Sequence, residues 1–93
     1  MGRNDMRYAI IEGAAVGSMD RLHRLLAEQL DFPDWYGGNL DALYDCLTDL
    51  TEETSIILLH SQALTETLGT SYGRFCRVLT DAAAENPNLH IQI

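Results

Sequence analysis

Asp41, Asp45 and Asp49 recur at every fourth position of the segment Leu40-Asp41-Ala42-Leu43-Tyr44-Asp45-Cys46-Leu47-Thr48-Asp49. On a helix, side chains four residues apart lie about 40° from one another, so the three carboxylates share one face. Leu40, Leu43 and Leu47 fall on the opposite, core-facing side, and Tyr44 sits beside the acids. Like charges at this spacing destabilise a helix by about 0.2–0.5 kcal/mol per pair. Asp41, in the first turn, regains part of that from the helix dipole, whereas Asp49 near the C-terminal end loses by it. Asp is also a poorer helix former than Glu, so local stability does not account for a face built from Asp. Two readings stand side by side: a solvated helix surface, or an anionic docking surface whose short carboxylates accept paired hydrogen bonds from Arg.

The segment just upstream, Phe32-Pro33-Asp34-Trp35-Tyr36-Gly37-Gly38, is aromatic for a loop. Gly37 and Gly38 permit a tight turn that presents the helix start. Trp and Tyr are enriched at binding hot spots, but either Trp35 or Tyr36 can equally serve as a core plug. Paired carboxylates can also work as general acid and base, which requires environments that push their pKa values apart; exposure supplies none. The chain has no nucleophile elbow, P-loop, dinucleotide fingerprint or metal-binding His pair, and His23, His60 and His90 fall on separate elements. No catalytic residue, cofactor or metal site is therefore expected. Cys46 and Cys76 lack a CxxC spacing and read as small core residues.

The elements that must position this segment follow from periodicity and caps. Met6 to Glu12 is rich in β-formers and closed by Gly13, which predicts a strand. Ser18 is a candidate N-cap for a helix running from Met19 to about Leu30 on Met19, Leu22, Leu25, Leu26 and Leu30, with Pro33 forbidding continuation and His23 packed partly inside. Asn39 caps the acidic helix, which ends near Thr48 or Asp49. Ser55 to His60 holds four consecutive aliphatics, the pattern of a strand covered on both faces. A short helix from about Gln62 to Leu68 stops at Gly69. Ser71 is expected to cap a longer helix with Phe75, Val78, Leu79, Ala82 and Ala83 inward, closed by Pro87. Leu89, Ile91 and Ile93 alternate with polar residues as a last strand, whose removal is expected to unfold the domain. The order β-α-α-β-α-α-β predicts a small α/β domain, a three-stranded parallel sheet with about four helices.

At 93 residues, the chain suits one domain, expected over 1–93 with 1–5 a flexible N-terminal extension. Fourteen acidic against six basic residues leave a net charge of −8. That balance disfavours direct contact with nucleic acid or an anionic membrane and favours a cationic protein partner. No secretory signal or membrane-length apolar run is visible, so a soluble cytoplasmic protein, monomeric when free, is expected.

Trp35-Tyr36-Gly37-Gly38-Asn39-Leu40-Asp41-Ala42-Leu43-Tyr44-Asp45-Cys46-Leu47-Thr48 resembles the signature of the barstar family, intracellular inhibitors of secreted bacterial ribonucleases. The family form is an aromatic followed by Tyr-Gly-x-Asn-Leu-Asp-Ala-Leu-Trp-Asp-Cys-Leu-Thr. The likeness runs back through Leu22-His23 to the first strand and is weaker but collinear to the C-terminal strand. It implies a plug for a ribonuclease active site, 1:1, with carboxylates where substrate phosphates would bind. Carried over by position, Asp45 is the central anion and Asp41 a second ionic anchor. Trp35, Gly37, Asn39, Leu40, Tyr44 and Thr48 contact the rim and floor, and Asp81 of the last helix matches an acidic contact position. Tyr44 replaces a usual Trp, Asp81 is one methylene shorter than the family's Glu, and Asp49-Leu50 stands where the best-known form has Gly-Trp. These departures point to a different target, a basic nuclease or nuclease toxin, with immunity as the implied role. A reading from another class is a general interaction or regulatory module that kept the fold and lost the nuclease target.

Overall fold

A computed structural model of the chain describes residues 6–93, so the expected extension at 1–5 lies outside the described residues. Strand β1 spans Arg7–Glu12, helix α1 Met19–Leu30, α2 Leu40–Thr48, β2 Thr54–Leu59, α3 Ser61–Leu68, α4 Thr70–Glu85 and β3 Leu89–Gln92. The expected α/β class and element order are borne out. The sheet order is β1-β2-β3 and both pairings are parallel, with Ala9 opposite Ile56 and Ile56 opposite Ile91.

Local chemistry sets the boundaries of α1. Ser18, in extended conformation, accepts a hydrogen bond from the Arg21 N–H, and the helix ends where Asp31 turns left-handed, two residues before Pro33. One turn of 3₁₀ helix, Gly13–Ala15, follows β1 and was not anticipated from the sequence. Glu12 holds it by accepting from the Ala14 N–H. Gly13 is required there for space: a Cβ would sit 2.4 Å from the His60 carbonyl oxygen.

Leu22, Leu26, Leu43, Leu47, Phe75 and Leu79 from the helices form one cluster with Ala9, Ile11, Ile56, Leu58 and Leu89 of the sheet. The other sheet face carries Tyr8, Ile10 and Leu59, which are 52%, 49% and 43% exposed. The expectation that β2 is covered on both faces is therefore corrected. The aliphatics that join the core, Ile56 and Leu58, alternate with the more accessible Ile57 and Leu59. Ile93 is likewise open rather than packed. The outer edge of β1 is closed without a strand: Gln29 of α1 accepts from the Ile10 N–H at 2.8 Å and donates to the Ile10 carbonyl at 3.1 Å.

Ser71 is not a cap. Gly69 ends α3 and begins α4 directly, and α4 starts at Thr70 without a side-chain cap. Its positive φ of 59° makes a one-residue corner, which leaves no room for a separate capping residue. Phe75, Leu79 and Ala82 face inward from α4 as expected, with Val78 and Ala83 at the margin.

Candidate functional site

Helix α2 is held at both ends. Gly38 adopts φ +71°, a conformation costly for any other residue, and turns the chain into the cap. The Asn39 side-chain oxygen then accepts from the Ala42 N–H at 2.8 Å. At the far end, the Asn86 amide donates to the carbonyls of Leu47 and Leu50 at 2.9 and 3.0 Å, tying the C-terminal end of α2 and the residues after it to the end of α4. Leu43, Cys46 and Leu47 are buried by this arrangement. Asp41, Asp45 and Asp49 are exposed, as the spacing predicts, and among the described residues no cation stands within ion-pair distance of any of them.

The preceding loop divides its two aromatics. Tyr36 turns inward against Phe32, ring centroids 4.9 Å apart in an edge-on contact, and its hydroxyl hydrogen-bonds His23 Nδ1. Burial holds the Tyr36 phenol above its ordinary range and the His23 imidazole below its own, so both stay neutral near pH 7. With Tyr36 fixed as the plug, its neighbour Trp35 faces solvent at 61% exposure. His23 is 5% exposed, more fully enclosed than its expected part-buried position on α1.

The structure distributes the sequence-nominated residues over α2 and the separate hollows beside it. Trp35 and Asp49 share the rim of a hollow of about 170 Å³ whose wall includes Phe32, Cys46 and Leu50. Leu40 and Asp41 line a shallow groove between α2 and α4, with Val78 and Asp81 on its α4 side. Asp45 lines neither hollow and is exposed on the helix, with half-buried Tyr44 before it in the chain. Three residues fit the surface less directly. Asn39 commits its oxygen to the helix cap, and the Thr48 hydroxyl donates to the carbonyls of Tyr44 and Asp45. Gly37 lines a separate cleft with Asp20, His23, Arg24 and Tyr36 on the α1 side. Leu40, placed in the buried stripe from sequence, is only half-buried.

Two features were missed. Arg74 and Arg77 line the α2–α4 groove opposite Asp41, so this edge carries both signs of charge. The spacing of three on α4 was the available signal. Asn86 carried no signal of its own in the sequence, since its grip on the end of α2 spans more than 35 positions of chain.

The free Cys46 thiol is not a reactive group. Burial, with Asp45 and Asp49 adding, raises its pKa, so the thiolate is disfavoured. Among the described residues no helix is long and apolar enough to cross a membrane.

What the fold and surface define is a small α/β domain that presents an acidic helix and an exposed tryptophan. A family model described as Barstar (barnase inhibitor) matches residues 6–93. A protein of Bacillus subtilis (strain 168) named "Putative ribonuclease inhibitor YrdF" is 42% identical over 67 residues, spanning 72% of this chain and 74% of that protein. The chain belongs to the barstar family.

Proposed function

We propose that this chain is an inhibitor of a basic ribonuclease, blocking the enzyme's active site 1:1 with α2 and the loop before it, inside the cell that holds both. The supporting observation is the face of Asp41, Asp45 and Asp49. Three exposed carboxylates occupy one side of one helix, among the described residues no cation stands within ion-pair distance of them, and the tryptophan beside them is 61% exposed. Family membership and the similarity to a protein named as a ribonuclease inhibitor support the same reading.

Ribonuclease clefts bind polyphosphate and are cationic for that reason. A carboxylate row held on a capped helix occupies such a cleft with its geometry already set, so little ordering entropy opposes binding. The net charge of −8 adds long-range attraction, which speeds capture and weakens with salt. Asp45 is the central anion, Asp41 and Asp81 flank it on the α4 side, and Trp35 and Asp49 on the other. Inhibition requires no chemistry from this chain, so it is not an enzyme in this reading.

The test is titration of a ribonuclease, above all one encoded beside this chain's gene, with the wild-type chain and Asp45→Ala. Wild type should inhibit to a sharp 1:1 endpoint that softens as salt rises. Asp45 is exposed and the substitution should leave thermal unfolding unchanged. Loss of a charge-assisted contact predicts about 10- to 100-fold weaker inhibition. An inhibition constant unaltered by Asp45→Ala would remove the helix from the mechanism.

A further inference from the structure

All six basic residues of this chain are arginine, and there is no lysine. Two of those in the described region serve the fold: Arg7 donates to the Leu30 carbonyl and faces Glu52, and Arg21 Nε donates to the Ala15 carbonyl. Arg74 and Arg77 do neither. Both are exposed, both line the groove between α2 and α4, and among the described residues neither has a carboxylate within ion-pair distance.

Their placement is not explained by the helix they stand on. Residues three apart lie on one face, where like charges repel. They are in the body of α4, away from its C-terminal turn where cations gain from the dipole. Arg77 precedes Asp81 by four residues, the weaker order for a helical ion pair. The same groove is continuous with Asp41 of the acidic helix.

We infer that Arg74 and Arg77 form a second, cationic contact of the inhibitory surface, which pairs with carboxylates on the rim of the target ribonuclease. This rests on the proposed function and adds to it a requirement on the partner: its cationic cleft is bordered by acidic side chains on the side that meets α4. The guanidinium fork suits this role because it accepts a carboxylate through two parallel N–H donors. The mixed edge serves discrimination. A basic nuclease without the acidic rim meets two arginines and is repelled there, while its cleft is still attracted to Asp45.

The sign of one measurement decides the matter. If the two arginines only dilute the acidic field, replacing both with alanine takes the net charge from −8 to −10 and tightens binding to any basic ribonuclease. If they pair with carboxylates, the same replacement weakens binding to the cognate enzyme. The probe is the ribonuclease captured with this chain from its own host, titrated calorimetrically against wild type, the double variant Arg74→Ala/Arg77→Ala, and Asp45→Ala. Both arginines are exposed and alanine favours helix, so thermal unfolding should be retained. We expect the double variant to bind about fivefold or more weakly at moderate salt, and Arg77→Glu to bind more weakly still. Binding by the double variant that is unchanged or tighter, with Asp45→Ala impaired, overturns the inference and leaves the function standing. Unimpaired Asp45→Ala overturns the function on which both rest.

Discussion

Asn86 gives the most direct link between the fold and the functional helix, and its replacement by alanine is the most informative single perturbation. The residue is 5% exposed. Its amide donates to the Leu47 and Leu50 carbonyls at 2.9 and 3.0 Å, and its oxygen accepts from the Asn88 N–H at 3.0 Å. Alanine removes all three bonds and leaves the Leu47 carbonyl without that donor at the end of α2. The Leu50 carbonyl keeps a weaker partner, the Asn88 side-chain amide at 3.4 Å. At about 1 kcal/mol for each lost bond, the expected loss is about 2–3 kcal/mol. That is a large share of the total of about 5–14 kcal/mol for a domain this size. In urea it should lower the midpoint by about 2 M without altering the slope.

Asn86→Asp sharpens the test. It keeps the acceptor for Asn88 but turns a carboxylate toward two carbonyl oxygens, so its folded pKa should rise above the ordinary value. A carboxyl group with a raised folded pKa favours the folded state below its unfolded pKa and loses that contribution as pH rises through the folded pKa. Asn86→Asp should therefore be worse than Asn86→Ala at pH 7 and approach it as pH falls toward about 4. A loss below about 1 kcal/mol for Asn86→Ala, or no pH-dependent gap between the two variants, would refute the assignment of Asn86 as the clamp on α2.

Two further outcomes are expected. Burial keeps His23 below its ordinary pKa, with Asp20 opposing weakly, so the unfolded chain takes up a proton near pH 6.5 before the folded one does. Stability should be complete above that pH and decline as pH falls toward the folded value; His23→Gln should flatten this decline in urea midpoints measured between pH 7.5 and 5.5, and an unaltered slope would assign the acid sensitivity elsewhere. Trp35→Ala should leave thermal unfolding within about 0.5 kcal/mol of wild type, because the ring is largely exposed. It should nevertheless weaken ribonuclease inhibition by more than about 1 kcal/mol, the mark of an aromatic hot spot; equal inhibition would place Trp35 outside the interface.

How much of this was legible in the sequence depended on the range of each interaction. The Ser18 cap, the Asn39 cap and the common face of Asp41, Asp45 and Asp49 are set within four residues of chain, and all were read correctly. The parallel orientation of the strands followed from their alternation with helices, whereas their order in the sheet, set by long-range pairing, did not. Errors arose where one residue serves two elements or where coverage is decided by tertiary packing. Gly69 is at once the end of α3 and the start of α4, so the helix signal at Ser71 had no corner left to cap. The aliphatic run of β2 suggested a strand with two buried faces, but the residue pairs Ile10–Ile57 and Glu12–Leu59 lie on the side away from the helix core. Whether Tyr36 or Trp35 plugged the interior was undecidable locally, because the deciding partner, His23, lies on another helix.

The same distinction applies to charge. A net −8 implies a cationic partner, and the i, i+4 spacing of the aspartates concentrates that preference on α2. What neither total nor spacing contains is the neighbour of Asp41 across the groove, since α2 and α4 are separated by more than 20 residues of chain. Placing Arg74 and Arg77 there costs attraction toward every basic protein alike, so a device meant only to gather cations would not retain them. A surface that must accept one basic enzyme and refuse others gains from the cost, provided the accepted enzyme returns it as paired carboxylates. The magnitude of the charge thus bears on how fast partners arrive, and the two arginines on which of them remain.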